Sequence, residues 1–295
     1  MPSLEALLAS SIEVVAVVTN PDRAAGRGLA LRSSPVKVAA LEAGVEVLQP
    51  ERAGDDELRE RLEAIDPDVA TVVAYGRILP PRLLDVPKLG FVNVHFSLLP
   101  DLRGAAPVQH ALIDGLGSTG VSIMVLSEGM DEGPVLASEV VAIDHDDTAA
   151  SLGRRLAVVG ARLLVPTLQQ LETGSLVAEA QDDAGATYAP KISGAAARVD
   201  WSKAPATIRN LVRGLNPEPG AWTTLRSVRV KVLEVVIADQ APAPPPGSLD
   251  VGAEVVAGCG GGALVLREVQ PAGKRRMSAM EWARGLRLEP GERFE

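Results

Sequence analysis

Apolar runs and amphipathic stretches alternate along the first 180 residues of the chain. Ile12–Val18 and Val69–Ala74 are short, β-branched and nearly continuous, the pattern of buried strands, and Gly90–His95, Val121–Leu126 and Val135–Ile143 extend the series. Between them lie helical patterns: Pro35–Ala43, the charged amphipathic Asp55–Ala64, Gly104–Asp114, and a long segment from Asp147 to Leu171. Helical text also opens the chain, at Pro2. Apolar strands separated by helices predict a mostly parallel sheet covered on both faces, a doubly wound, Rossmann-like α/β domain.

The rhythm changes after residue 180. Residues 181–200 are polar and rich in Gly, Ala and Pro, which reads as a linker. A helix is expected at Ala204–Gly214. Runs bounded by turn formers follow at Ala221–Leu225, Val228–Ile237, Glu254–Ala257 and Ala263–Val269. Several short strands of this kind predict a small β-barrel. The expected organisation is therefore a first domain over 1–180, a linker over 181–200 and a second domain over 201–295.

Composition narrows the class. The 295 residues are 46% hydrophobic and 23% charged, too apolar and too weakly charged for a disordered chain. No apolar run approaches the ~18–20 residues that span a bilayer, and Met1–Ser11 carries Glu5 without the basic stretch of a signal peptide. A single cysteine, Cys259, excludes an intrachain disulfide framework and fits a reducing, cytoplasmic setting. Net charge is −9, unevenly spread: residues 1–200 hold 16 Lys and Arg against 28 Asp and Glu, the remainder 13 against 10. The mildly basic second part permits an anionic partner and equally suits an ordinary solvated surface.

Two glycine-rich stretches carry no nucleotide fingerprint. Gly26-Arg27-Gly28 lacks the third glycine of a dinucleotide loop, and Gly258–Gly262 lacks the Lys-Ser/Thr of a phosphate loop and reads as a hairpin. The histidines, His95, His110 and His145, have no metal-ligand spacing, so no metal is expected; the acidic run Asp144–Asp147 suits capping of the following helix. The segment Gly90–Gly104 has more to offer. Asn93 and His95, two apart near the end of a strand, share one face at the sheet edge where α/β folds bind ligands. An amide donor beside an imidazole can stabilise an oxyanion and move a proton. A strand-ending Asn and a satisfied buried His fit the same residues. Asp131, in the Gly-flanked loop Gly129–Pro134, is either a turn aspartate or the carboxylate that orients His95 and favours its protonation.

Taken together, Asn93-x-His95, the turn Ser97-Leu98-Leu99-Pro100, Arg103–Pro107, and Thr119-Gly120-Val121 followed by Asp131-x-Gly133 resemble the folate-dependent formyltransferases in order and spacing. The loop Asn20–Lys37, Asp200-Trp201, Ile208-Arg209, Asn216-Pro217, Gln270–Lys274 and Met277–Ala279 resemble the branch that acts on charged tRNA. The resemblance implies transfer of a formyl group from 10-formyltetrahydrofolate to the α-amino group of initiator methionyl-tRNA. It implies Asn93, His95 and Asp131 as the catalytic trio, and Ser97, Leu98, Leu99 and Pro100 as the folate-binding turn. It also implies tRNA contacts from Arg23, Arg27 and Arg32, Arg27 foremost, and an OB-like barrel over 201–295 that helps hold the tRNA. A monomer is expected. The same chemistry on a small amine (an amino sugar or glycinamide ribonucleotide), formyltetrahydrofolate hydrolysis, and a non-catalytic tRNA- or folate-binding protein are the alternatives. Members of the family begin with an apolar strand before the helix matched by Pro2–Ser10. Its absence predicts a sheet lacking a central strand and a chain that starts at an internal methionine.

Overall fold

The structure, a computed structural model, describes residues 1–25, 30–238, 243–289 and 291–295. The chain runs α1 (Pro2–Leu8), β1 (Ala16–Val18), β2 (Arg23–Ala25), β3 (Ala30–Arg32), α2 (Pro35–Glu42), β4 (Glu46–Leu48), α3 (Asp56–Ile65), β5 (Ala70–Val72), α4 (Pro81–Leu84), β6 (Phe91–His95) and α5 (Pro107–Ile113). It continues through β7 (Ser118–Val125), β8 (Val135–Ala142), α6 (Ala149–Glu172) and α7 (Pro205–Gly214). The last elements are β9 (Ala221–Leu225), β10 (Val228–Ile237), β11 (Leu249–Val251), β12 (Val255–Cys259), β13 (Gly262–Pro271), β14 (Met277–Ser278) and α8 (Ala279–Leu286). Among the described residues, no helix is long and apolar enough to cross a membrane.

One compact unit comprises Met1–Ala105, Gly120–Val141 and Arg154–Ala189. Its strands form a four-stranded sheet, β5-β6-β7-β8, a separate pair β1-β4, and the hairpin β2-β3. Pairing is parallel between β1 and β4 and between β5 and β6, and antiparallel between β6 and β7. The apolar run Ile12–Val18 is thus a strand only where Glu46–Leu48 pairs with it. Val69–Ala74 likewise pairs over Ala70–Val72, on one side, with Phe91–Asn93. The unladdered residues of both runs, with Leu4, Leu7 and Phe96, line an apolar cavity of about 980 Å³. Among the described residues β1-β4 and β5-β6-β7-β8 are thus separate sheets, and Tyr75 at the cavity has a buried hydroxyl without a hydrogen-bond partner.

Local chemistry sets the helices. Ser34 caps α2, accepting from the Lys37 amide at 3.1 Å, with Pro35 entering the first turn. Asp56 and Glu57 favour the N-terminal end of α3, whose Leu58 and Leu62 face a core with Leu83 and Phe91. The helix α6 comes close to the strand that carries the site because residue 160 is glycine: a Cβ there would lie 2.7 Å from Val94 Cγ1. Residues 181–189, within the stretch whose composition reads as a linker, belong to this unit.

The other unit gathers Ala106–Thr119, Ala142–Gly153 and Pro190–Glu295. Its sheet, β11-β12-β13-β10-β9 with β14 on β13, is antiparallel throughout. The glycine cluster makes the hairpin expected of it, with Cys259 opposite Gly262. Trp201, Phe294 and Trp282 stack at 4.9 and 6.1 Å in the core, and Trp201 Nε1 donates to Thr223 at 3.0 Å. Asp147 caps its own loop, accepting from the Asp144 amide at 2.8 Å and from Ser151 at 2.7 Å. The side chain that accepts from an amide of the first turn of α6 is Thr148, from Ser151 N at 3.2 Å, while Asp147 acts one step back by holding Ser151 Oγ. A capping box, Ser278 with Glu281, starts α8. Cys259 is buried and its thiol is pushed up to about 12, which leaves it a small packing residue rather than a nucleophile.

Candidate active site

The strand β6 ends in the two residues singled out by alternation. Val92 and Val94 are buried in the apolar interior, while Asn93 and His95 share the opposite face. Both side chains turn toward Asp131. Asn93 Nδ2 lies 3.5 Å from Asp131 Oδ1, and His95 Nδ1 lies 3.6 Å from Asp131 Oδ2. These are long contacts, of the kind that tighten when a reacting group arrives.

The other ring nitrogen of His95 is committed. Nε2 is 3.1 Å from the Leu102 carbonyl, which can only accept, so Nε2 carries a hydrogen. His95 is 5% exposed, and that burial lowers its pKa below the ordinary value near 6.5; the Asp131 charge and the Leu102 carbonyl act in the opposite sense without prevailing. The ring is therefore neutral at pH 7 and Nδ1 is left able to take a proton. Asp131 favours protonation of the ring, as expected of it, but desolvation outweighs the carboxylate.

Asp131 is held from several sides. Its backbone is left-handed, with φ 55°, an uncommon conformation for a side chain-bearing residue. The Gly104 amide donates to Oδ2 at 2.9 Å. Gln181 donates to the carbonyls of Asp131 and Gly133 at 2.8 and 2.7 Å and accepts from Arg103 Nε at 3.0 Å. Gly133 must be glycine, since a Cβ there would collide with the Val125 carbonyl oxygen.

The turn Ser97–Pro100 follows directly, with a cis Leu99–Pro100 peptide. Ser97 is buried and donates to the Asp101 carbonyl at 2.5 Å, whereas Leu98, Leu99 and Pro100 are half-buried. Ser122, opposite His95 in the register of β7 against β6, holds the turn: it donates to the Ser97 carbonyl at 2.8 Å and accepts from the Leu99 amide at 3.0 Å. The segment Thr187–Ala189 straps the same region, with Arg103 N bonded to Thr187 O and Ala189 N to Arg103 O at 2.9 and 2.8 Å.

Three of the predicted residues, Asn93, His95 and Asp131, thus come together, with the Ser97–Pro100 turn attached to the same strand. Arg23 and Arg32 sit elsewhere in this unit, directly opposite one another on the β2–β3 hairpin and exposed. Arg27 lies outside the described residues. The base of that hairpin is anchored by Asp22, whose carboxylate is held below its ordinary pKa by Lys37 first and Gln49 next. Sequence reasoning missed Gln181, the Gly104 amide and Ser122. A serine inside an apolar strand run signals a buried hydrogen-bond role, which would have found Ser122. No local signal marks Gln181, 50 residues from Asp131.

The arrangement suits attack on a carbonyl: an amide donor and an imidazole nitrogen converge beside a carboxylate, next to an apolar turn. The family model described as "Formyl transferase" matches residues 3–168, and "Formyl transferase, C-terminal domain" matches 191–287. The methionyl-tRNA formyltransferase of Streptomyces coelicolor is 48% identical over 295 residues, covering 99% of this chain and 95% of its own. That of Thermobifida fusca is 46% identical, covering 100% and 95%. Among solved structures, phosphoribosylglycinamide formyltransferase from Bacillus halodurans is 26% identical with a TM-score of 0.51, covering 59% of this chain and 91% of its own. The N-formyltransferase from Helicobacter canadensis, in complex with folinic acid and dTDP-3-aminofucose, shares the fold at 17% identity, with a TM-score of 0.66 over 90% and 93%. Matched by both family models and by full-length relatives, the chain belongs to the formyltransferase family.

Proposed function

We propose that this protein transfers the formyl group of 10-formyltetrahydrofolate to the α-amino group of initiator methionyl-tRNA. The observation that carries the reading is the convergence of Asn93 Nδ2 and His95 Nδ1 on one carboxylate. Relatives named methionyl-tRNA formyltransferase, at 46–48% identity over nearly the whole chain, support the acceptor.

The folate co-substrate supplies an activated formyl group, and the chain's residues do the rest. Asn93 Nδ2 donates to the formyl oxygen as negative charge builds on it, a contribution typically worth about 2.7–4 kcal/mol for one such donor. An α-amino group titrates near ~7.7–8.0, so much of it arrives protonated and its proton must leave. The ammonium proton goes to solvent, and the free amine bonds to the formyl carbon, losing its second proton to His95 Nδ1, which is neutral because Nε2 is bound to Leu102. Asp131 pairs with the imidazolium so formed, which then gives that proton to the departing folate nitrogen as the old C–N bond breaks and tetrahydrofolate leaves. Leu98, Leu99 and Pro100 give the folate an apolar wall that limits access of water to the formyl carbon.

The division of labour follows from the same reading: the unit that holds Asn93, His95, Asp131 and residues 181–189 carries transfer, and residues 201–295 help hold the tRNA. Arg23, Arg27 and Arg32 contact tRNA phosphates. Arg23 and Arg32 face one another across the hairpin, an unfavourable like-charge pair that a bound phosphate relieves. The protein acts as a monomer in the cytoplasm. The test is formyl transfer by the purified protein to methionyl-tRNA, to an amino-sugar nucleotide and to glycinamide ribonucleotide. Formylated methionyl-tRNA as the preferred product supports the reading, and a preference for either small amine rejects it. His95→Ala with kcat equal to wild type removes the assigned chemistry.

A further inference from the structure

Among the described residues Arg103 is the largest fully buried side chain, 1% exposed, and it touches none of the reacting groups in the scheme above. A guanidinium is costly to bury, so its contacts have to justify the position. Its Nε donates to Gln181 Oε1 at 3.0 Å and its Nη2 to Asp183 at 2.8 Å. Against the desolvation that would lower it, Asp183 and Tyr188 hold the Arg103 pKa above the ordinary value, so the group stays charged. Arg103 only donates, which forces the Gln181 oxygen toward it and both amide hydrogens away from it. Those hydrogens meet the carbonyls of Asp131 and Gly133 at 2.8 and 2.7 Å. Three of the four bonding capacities of the Gln181 amide are used, both of its hydrogens among them, and the amide cannot turn without losing all three bonds.

We propose that Arg103 and Gln181 are positioning residues for proton transfer: they clamp the left-handed backbone at Asp131 so that its carboxylate stays facing His95 Nδ1 and Asn93 Nδ2. The backbone after Arg103 serves the same end, since the Gly104 amide fixes Asp131 Oδ2 at 2.9 Å. Side chain and main chain of one short segment thus grip the Asp131 loop from both sides. Among the described residues, Asp131 is the charged group facing the His95 ring, and Arg103 reaches the ring only through Gln181 and Asp131. Freeing the loop weakens the partner of the imidazolium without removing it.

The proposal rests on the roles given above to His95 and Asp131, and the experiment separates the two. Gln181→Met keeps the size and removes the three bonds. Gln181→Glu serves as a near-isosteric second variant, keeping the acceptor and losing both donors, should the first not fold. In a folded variant, kcat is expected to fall about tenfold or more, a part of the ~10²–10⁴-fold that a positioned proton-transfer group contributes. The pKa of His95, followed by NMR of its imidazole among only three histidines, is expected to move further down. In an Asp131→Asn background the Gln181 change is expected to add no further loss, because its effect passes through Asp131. A variant that is less stable but keeps the wild-type kcat and His95 titration overturns the proposal, as does full additivity of the two losses. If wild-type protein fails to formylate methionyl-tRNA, the functional reading falls, and the His95 titration still decides the clamp.

Discussion

Ser122→Ala tests how the site's apolar turn is held in place. Ser122 is fully buried, and its hydroxyl makes two bonds to the turn, donating to the Ser97 carbonyl at 2.8 Å and accepting from the Leu99 amide at 3.0 Å. Alanine removes both and leaves two backbone groups without these partners. One buried unsatisfied group costs about 1–3 kcal/mol, so two set a range of roughly 2–6 kcal/mol before relaxation. The turn has exposed surface at Leu98–Pro100 through which water can reach it, which brings the expectation to about 2–3 kcal/mol. Urea denaturation at constant m-value reads that loss. The same looseness is expected at the folate-binding turn: each 1.4 kcal/mol needed to restore its shape weakens donor binding by about tenfold, so KM for 10-formyltetrahydrofolate rises more than kcat falls. A variant within about 0.5 kcal/mol of wild type and with an unchanged donor KM, inside the range of neutral surface substitutions, would refute the assignment.

Other outcomes follow from the same geometry. Because burial depresses the His95 pKa, folding stability is complete above about 6.5 and declines as pH falls through the depressed value, where the unfolded chain binds the extra proton; His95→Asn is expected to flatten this acid limb in chemical denaturation from pH 7.5 to 5. Gly133→Ala drives a Cβ into the Val125 carbonyl oxygen and must shift the Asp131 loop, so kcat is expected to fall on the order of 10²-fold, as for a displacement near 1 Å at a catalytic group. If that variant keeps wild-type kcat, the loop does not need its observed position. Arg23→Ala and Arg32→Ala are each expected to weaken tRNA binding and to reduce the slope of log affinity against log salt by about one, with kcat for saturating tRNA retained. An unchanged slope in both variants takes the hairpin out of the tRNA contact.

The site was legible where it depends on local periodicity. Two-residue alternation put Asn93 and His95 on one face, and a glycine-flanked acid after a later strand of the same sheet marked Asp131. The sign of the His95 pKa was not legible, since it turns on how completely Leu102 and the neighbouring chain bury the ring, a tertiary quantity. Gln181 was hidden for a related reason: it sits in a Gly- and Ala-rich stretch and acts through backbone carbonyls 48 and 50 residues away. Strands as short as β4 and β11, three residues each, owe their existence to pairing with Ala16–Val18 and Val255–Ala257 rather than to any pattern of their own. The helix α8 could have been read, because Ser278 and Glu281 have the spacing of a capping box ahead of an amphipathic run.

The apolar cavity bordered by Ile12–Val18 and Val69–Ala74 has a consequence for handling the protein. Each of β1 and β5 is bonded on one side only among the described residues, so each presents a row of amide and carbonyl groups beside an uncovered apolar surface. That combination is a template for strand addition from another molecule, and these strands carry none of the lysines or prolines that blunt an edge. In any form of the protein that leaves these edges unpaired, self-association at high concentration is expected to begin there, and inward-facing charge at Val17 or Thr71 is the change that would raise solubility at some cost in folding stability.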